Sequence, residues 1–355
     1  NQTVSAVVDT QPPVISAVAA TARASSAQVL WSTDETASSE LWYGTNPSDL
    51  SSALTVPGLA AAHAVALKGL SPLTTYYYRV QSRDGAGNIS TDPTLYSFTT
   101  TARPPILFVD DDLGASYERF YQAALDANGY AYETWDTSVF GATPTAQNLA
   151  DYKAVIWNTG FDYSSAGAGL SAAEQSAIAS YLDAGGRLYL SGQDILYNGV
   201  SSSFLTNYLK LSSYSNDVRT VAHSESGVAG NPISNGQSLS VAAPSDFPTL
   251  YVDAVAPVAA AQGLFLHGST STGLVHSSVN YRGDYAHGGF GMVFTTFPFE
   301  AVSSSAADPN NQKVLLKRIL DYLGLAPAGV NVTAASPATT SEAQIVKNAL
   351  QQNLL

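Results

Sequence analysis

From Val14 to Thr101 apolar and polar positions alternate in short runs, Ala27–Ser32, Ser39–Tyr43, Ala64–Leu67, Thr75–Asp84 and Thr94–Thr100, separated by turns rich in Gly, Pro and Asn. Alternation sends successive side chains to opposite faces of a strand, so residues 14–101 read as a sandwich of about seven strands. A shorter alternating run, Asn1–Thr10 with Val4, Ala6 and Val8 on one face, makes residues 1–13 a terminal strand or tail that needs a partner. Ala102-Arg103-Pro104-Pro105 is a stiff linker, because proline fixes φ and disfavours helix before it. Beyond it the rhythm changes. Ile106–Val109, Tyr130–Trp135, Tyr152–Trp157, Arg187–Leu190 and Gly289–Thr295 are apolar strands, and Ser116–Asn128, Ala172–Ala184 and Asn310–Leu323 have helical spacing. Strand and helix alternating, with continuously apolar strands, predict a doubly wound, mostly parallel α/β sheet over 105–325. Residues 210–285, rich in Ser, Gly and Ala, have weak strand signals such as Leu264–His267 and read as a long insertion at the sheet edge. The final stretch, 326–355, reads as a linker followed by a capped amphipathic helix from Ser341, with Ile345, Val346, Ala349 and Leu350 on one face.

Composition narrows the function. Only 12% of the 355 residues are charged and the net charge is −13, which repels nucleic-acid backbones and anionic headgroups. There is no cysteine, so thiolate metal sites and a cysteine nucleophile are excluded. No apolar run reaches the ~18–20 residues of a membrane span. These features fit an exported protein, extracellular or at the cell surface, whose Asn1 lies at or near a processed terminus.

Asp110-Asp111-Asp112 follows the first apolar strand of the α/β segment, at the strand end where open α/β sheets place ligands. Oxygen donors in such a cluster suit Ca²⁺ or Mg²⁺; the alternative is that the aspartates cap the following helix and satisfy loop amides. A receiver-type phosphorylation site is excluded, since the third strand ends in Asn158-Thr159-Gly160 where the phospho-accepting Asp would stand. The five histidines, at 63, 223, 267, 276 and 287, form no close-spaced ligand pair. Asn1-Gln2-Thr3, Asn88-Ile89-Ser90 and Asn331-Val332-Thr333 are glycosylation sequons, with Asn1, Asn88 and Asn331 as candidate acceptors.

Two resemblances organise the rest. Trp31 on an early strand, the run Leu70-Ser71-Pro72-Leu73-Thr74-Thr75-Tyr76 and the turn Asp84-Gly85-Ala86-Gly87-Asn88 resemble the fibronectin type III domain. Ile106–Gly114, Trp135-Asp136, the turn Ser191-Gly192-Gln193-Asp194 and Phe297-Pro298-Phe299-Glu300 together resemble the class I glutamine amidotransferase-like, flavodoxin-like domains of secreted bacterial proteins. The resemblance implies a nucleophile elbow at Gln193 or Asp194 and a His-x-Glu pair at Pro298 and Glu300. Thiol and histidine are both absent, so those positions are degenerate and that catalysis is not expected.

The expected function is a non-catalytic structural protein, a self-assembling subunit of a surface filament, layer or matrix, whose partners are other copies of itself. Val4, Val8, Ile345, Val346 and Leu350 would be its intersubunit contacts. One alternative is an accessory module binding a cell-surface glycan or protein. Another is a secreted hydrolase with a non-standard site near Ser191.

Overall fold

A computed structural model describes residues 9–161, 169–244, 249–268 and 273–327. Val4, Val8, Asn1, Asn331, Ile345, Val346, Leu350 and the C-terminal helix lie outside them. The chain divides into two compact units, with the boundary between Arg103 and Pro104.

The first unit is a β-sandwich of six strands, β1 (Ile15–Ala22), β2 (Ser26–Gly44), β3 (Ser52–Lys68), β4 (Thr75–Arg83), β5 (Ile89–Thr91) and β6 (Tyr96–Thr99). The expected strands Ala27–Ser32 and Ser39–Tyr43 are one strand. Thr33–Ser38 has no Gly or Pro to end it, and register shifts around Ala37 bend it instead. Alternation in β4 turns Tyr76, Tyr78 and Val80 inward onto Val29, Trp31, Leu41, Leu67 and Phe98, and leaves Tyr77 half-exposed. Two local devices lock the loops. The Tyr76 hydroxyl accepts the Ser71 amide at 3.0 Å, and the Asp84 carboxylate accepts the amides of Gly87 and Asn88 at 2.7 and 2.8 Å. Asn88 Nδ2 donates to Asp84 at 2.8 Å, a bond that a glycan on this nitrogen would have to replace. Among the described residues β3 pairs with β2 alone.

The second unit contains β7 (Ile106–Asp110), α1 (Glu118–Ala127), β8 (Tyr132–Asp136), α2 (Thr137–Phe140), α3 (Ala146–Ala150), β9 (Ala154–Asn158), α4 (Ala172–Asp183), β10 (Arg187–Ser191) and α5 (Ser202–Asn207). It continues through β11 (Leu211–Arg219), β12 (His223–Gly227), β13 (Ser238–Val241), β14 (Val252–Pro257), β15 (Gln262–Gly263), β16 (Phe265–Leu266), β17 (Ser278–Arg282), β18 (Gly291–Thr295) and α6 (Gln312–Tyr322). A seven-stranded sheet runs in the order β15-β17-β18-β10-β9-β7-β8. The pairs from β18 to β8 are parallel, and β17 and β15 add antiparallel at the other edge. The inner strands are buried on both faces, as their unbroken apolar runs require. Ile106 and Phe108 pack with Tyr121, Leu125, Leu316 and Ile319, whereas Leu107 and Val109 pack with Leu149, Ile178 and Leu182. Helices therefore cover each face. The excursion from the sheet is shorter than 210–285, because β15 re-enters at Gln262 and β17 pairs with β18 over five residues. Within it, β11 pairs with β14, and β12 pairs with β13 and β16.

Candidate functional site

Parallel strands end on the same side of a sheet, and here they end on polar residues in register. Asp136, Asp110, Asn158, Ser191 and Thr295 stand opposite one another across β8, β7, β9, β10 and β18. This row of side chains is where the loops of an open α/β sheet gather a site.

The three aspartates after β7 separate. Asp111 is held by its neighbours, with Thr137 Oγ1 donating at 3.0 Å and Trp157 Nε1 at 3.1 Å. Asp112 accepts the amides of Gly114 and Tyr117 at 3.1 and 3.3 Å, the loop-satisfying role open to it from the sequence. Asp110 is buried, and its Oδ1 meets no donor. Burial above all, then Asp112, Glu118, Asp136 and Glu300, pushes its carboxyl up to about 9. Asp110, Asp112 and Glu118 bring carboxylate oxygens within 4.8 Å of one another. Glu118, in the first turn of α1, takes the place that a reading of Asp110–Asp112 alone gives to Asp111.

Glu300 completes the acidic surroundings. It is buried, and burial pushes it up to about 8, with Asp112 raising it further and its own backbone amide, the Tyr121 hydroxyl and Arg119 opposing. The Tyr121 hydroxyl beside it donates to Asn158 Oδ1 at 3.1 Å; Asn158 Nδ2 and Thr159 Oγ1 are also unpartnered. A buried, unbonded carboxylate is unfavourable as the anion, so this cluster holds either protons or a cation. Pro298 precedes the short 3₁₀ turn Phe299–Ala301 that carries Glu300, and supplies no base.

The turn after β10 is closely packed. Ser191 Oγ accepts the Phe299 amide at 2.9 Å and the Thr295 hydroxyl at 3.1 Å and donates to the Phe297 carbonyl at 3.3 Å. No histidine is among these partners, and the hydroxyl serves as a pin between β10 and the loop after β18. Gly192 sits so close to Thr159 that an added Cβ would lie 1.9 Å from Oγ1. The Gln193 amide donates to the Phe161 carbonyl, and its oxygen accepts the Tyr251 amide at 3.0 Å. Asp194 has φ +55, left-handed for a residue with a side chain. Its carboxylate oxygens face Asp217 and Asp253, brought from β11 and β14 by pairings that sequence spacing does not reveal. A second buried network, His223 to Glu225 at 2.8 Å and Ser277 to Glu225 at 2.7 Å, likewise draws on distant segments.

The family model "Purple acid Phosphatase, N-terminal domain" matches residues 13–100. No curated protein matches the chain. Among solved structures, the mmIFT52 N-terminal domain is similar at 14% identity, covering 63% of this chain and 100% of that one with a TM-score of 0.41. The third fibronectin III domain of human KIAA0343 protein aligns at 17% identity over 29% of this chain and 92% of its own, TM-score 0.23. The sensor domain of the anti-sigma factor RsgI4 in Pseudobacteroides cellulosolvens aligns at 23% identity over 26% and 99%, TM-score 0.19. Among the described residues no helix is long and apolar enough to cross a membrane. The family match and the six-stranded sandwich make the N-terminal unit a fibronectin III-like domain.

Proposed function

We propose that this is a non-catalytic extracellular structural protein, a subunit that assembles with copies of itself, in which an amidotransferase-like, flavodoxin-like domain serves as scaffold. The observation that carries the assembly reading is the edge of β3. This strand runs 17 residues with β2 as its one partner among the described residues, and no Asp, Glu, Lys or Arg occurs from Leu50 to Leu67. Unpaired strand edges are templates for another strand unless charge, covering or distortion blunts them. Pro57 interrupts the middle, and the stretches on either side keep their amides and carbonyls. The alternating run Asn1–Thr10, with Val4 and Val8 on one face, is the strand a neighbour would donate. The Ile345, Val346 and Leu350 face is a second connector.

The loss of catalysis is supported by the elbow. A nucleophile there needs a base within hydrogen-bond reach, and Asp194 has only carboxylates for electrostatic neighbours. Electron microscopy of the purified chain, beside forms lacking Asn1–Thr10 or Ser341–Leu355, tests the reading. Regular fibres or sheets that either truncation dissolves support it; monodisperse particles in all three samples overturn it.

A further inference from the structure

We infer that Asp194, Asp217 and Asp253 form a calcium site that ties the turn after β10 to the β11–β14 pair. Their carboxylate oxygens lie within 4.8 Å of one another. Oxygens bound to one Ca²⁺ at about 2.4 Å stand at most about 4.8 Å apart, so a single ion spans the set. A cluster of acids alone would not decide the matter; the hydrogen bonds do. Asp194 is only 3% exposed. Asp253 is 1% exposed; one oxygen takes the Asp217 amide at 3.0 Å and the other, Oδ2, has no partner. A buried carboxylate oxygen of Asp253 is thus left unanswered within reach of two further carboxylates, and the charged neighbours of Asp194 are the other two aspartates.

Asp217 is exposed, which gives an ion entry and room for water ligands. It stands where the register of β11 breaks between Ser215 and Arg219. The donor set is all oxygen, which disfavours the thiolate- and imidazole-seeking metals. Mg²⁺ demands near-ideal octahedral geometry, which ligands fixed by three separate segments meet less readily than the flexible shell of Ca²⁺. This site is independent of self-assembly, since its ligands all belong to the second unit of one chain.

Titration calorimetry of the full chain with CaCl₂, after chelator treatment, tests the site beside thermal unfolding. Asp217→Asn is the main variant, because its exposed side chain holds no core contact; Asp194→Asn is the second, and circular dichroism in EDTA checks the fold of both. Asp110→Asn/Asp112→Asn separates this site from the acids after β7. The expected result is a Ca²⁺ site that raises the unfolding temperature, is weakened at least 10-fold by either single variant, persists in the double variant and prefers Ca²⁺ over Mg²⁺. Absence of binding up to ~10 mM Ca²⁺ overturns the assignment. So do unchanged affinity in both single variants, loss confined to the double variant, or equal affinity for Mg²⁺.

Discussion

Glu300 is held as the acid rather than the anion, because the loss of water on burial outweighs the donors near it. A carboxyl raised from 4.5 to about 8 gives the folded state its full stability below pH 4.5, and that stability drains away as pH rises toward 8. Glu300→Gln keeps the shape and removes the ionisation. In EDTA at pH 9 the variant should therefore be more stable than the native chain by ~2–4 kcal/mol, with little difference at pH 4, as urea unfolding would measure. Equal stability at both pH values would show that Glu300 is solvated. His63 works in the opposite direction. Its ring lies between Thr33 Oγ1 and Ser39 Oγ, each at 2.8 Å, and stacks on Trp31 with centroids 4.9 Å apart. Burial lowers it from 6.5 to about 4, so the unfolded chain takes a proton that the folded one refuses, and stability is lost as pH falls through that window. Burial lowers His267 to about 4 as well, so proton NMR should find imidazoles that stay neutral to about pH 4, of which His63→Gln removes one. If the resonance lost in His63→Gln is one that titrates near 6.5, this is refuted.

At the level of elements, the turn after β10 depends on the near-contact of Gly192 with Thr159. A methyl group there would sit 1.9 Å from Thr159 Oγ1 and 3.1 Å from its Cβ. Gly192→Ala should cost ~1–3 kcal/mol as overpacking, and Thr159→Ala, which deletes an already unpartnered hydroxyl, should restore part of it in the double variant. Strict additivity in urea unfolding would mean that the turn relaxes elsewhere. The strands and helices around this turn were legible in the sequence because their signals are local: buried strands as apolar runs, β4 by alternation, α4 by its helical spacing. The β1-to-β6 unit was read at its Tyr76 and Asp84 motifs, where one hydrogen bond spans few residues. What escaped is non-local. Asp217 and Asp253 meet Asp194 only through the β11–β14 pairing, and those strands alternate weakly. Asp110–Asp112 read as one cluster because their residues are adjacent, but their side chains part, Asp111 going to Trp157 and Thr137.

For the whole molecule the decisive question is whether the edge of β3 is used. Thr55 and Ala61 are exposed on that strand and belong to no core cluster, so lysine at either position should change stability by no more than ~0.5 kcal/mol. Their effect on association would be far larger. A charge on an edge strand must be desolvated when another strand pairs beside it, and lysines on adjacent copies repel. Thr55→Lys and Ala61→Lys should therefore abolish ordered assemblies under the electron microscope while leaving the unfolding midpoint of the sandwich unchanged. The assemblies should return at high ionic strength if repulsion dominates, and stay absent if desolvation does. Should both variants assemble like the native chain while removal of Asn1–Thr10 still dissolves the fibres, the donated strand pairs somewhere other than β3. Unaffected fibres in every variant would leave the C-terminal face of Ile345, Val346 and Leu350 as the contact to dissect.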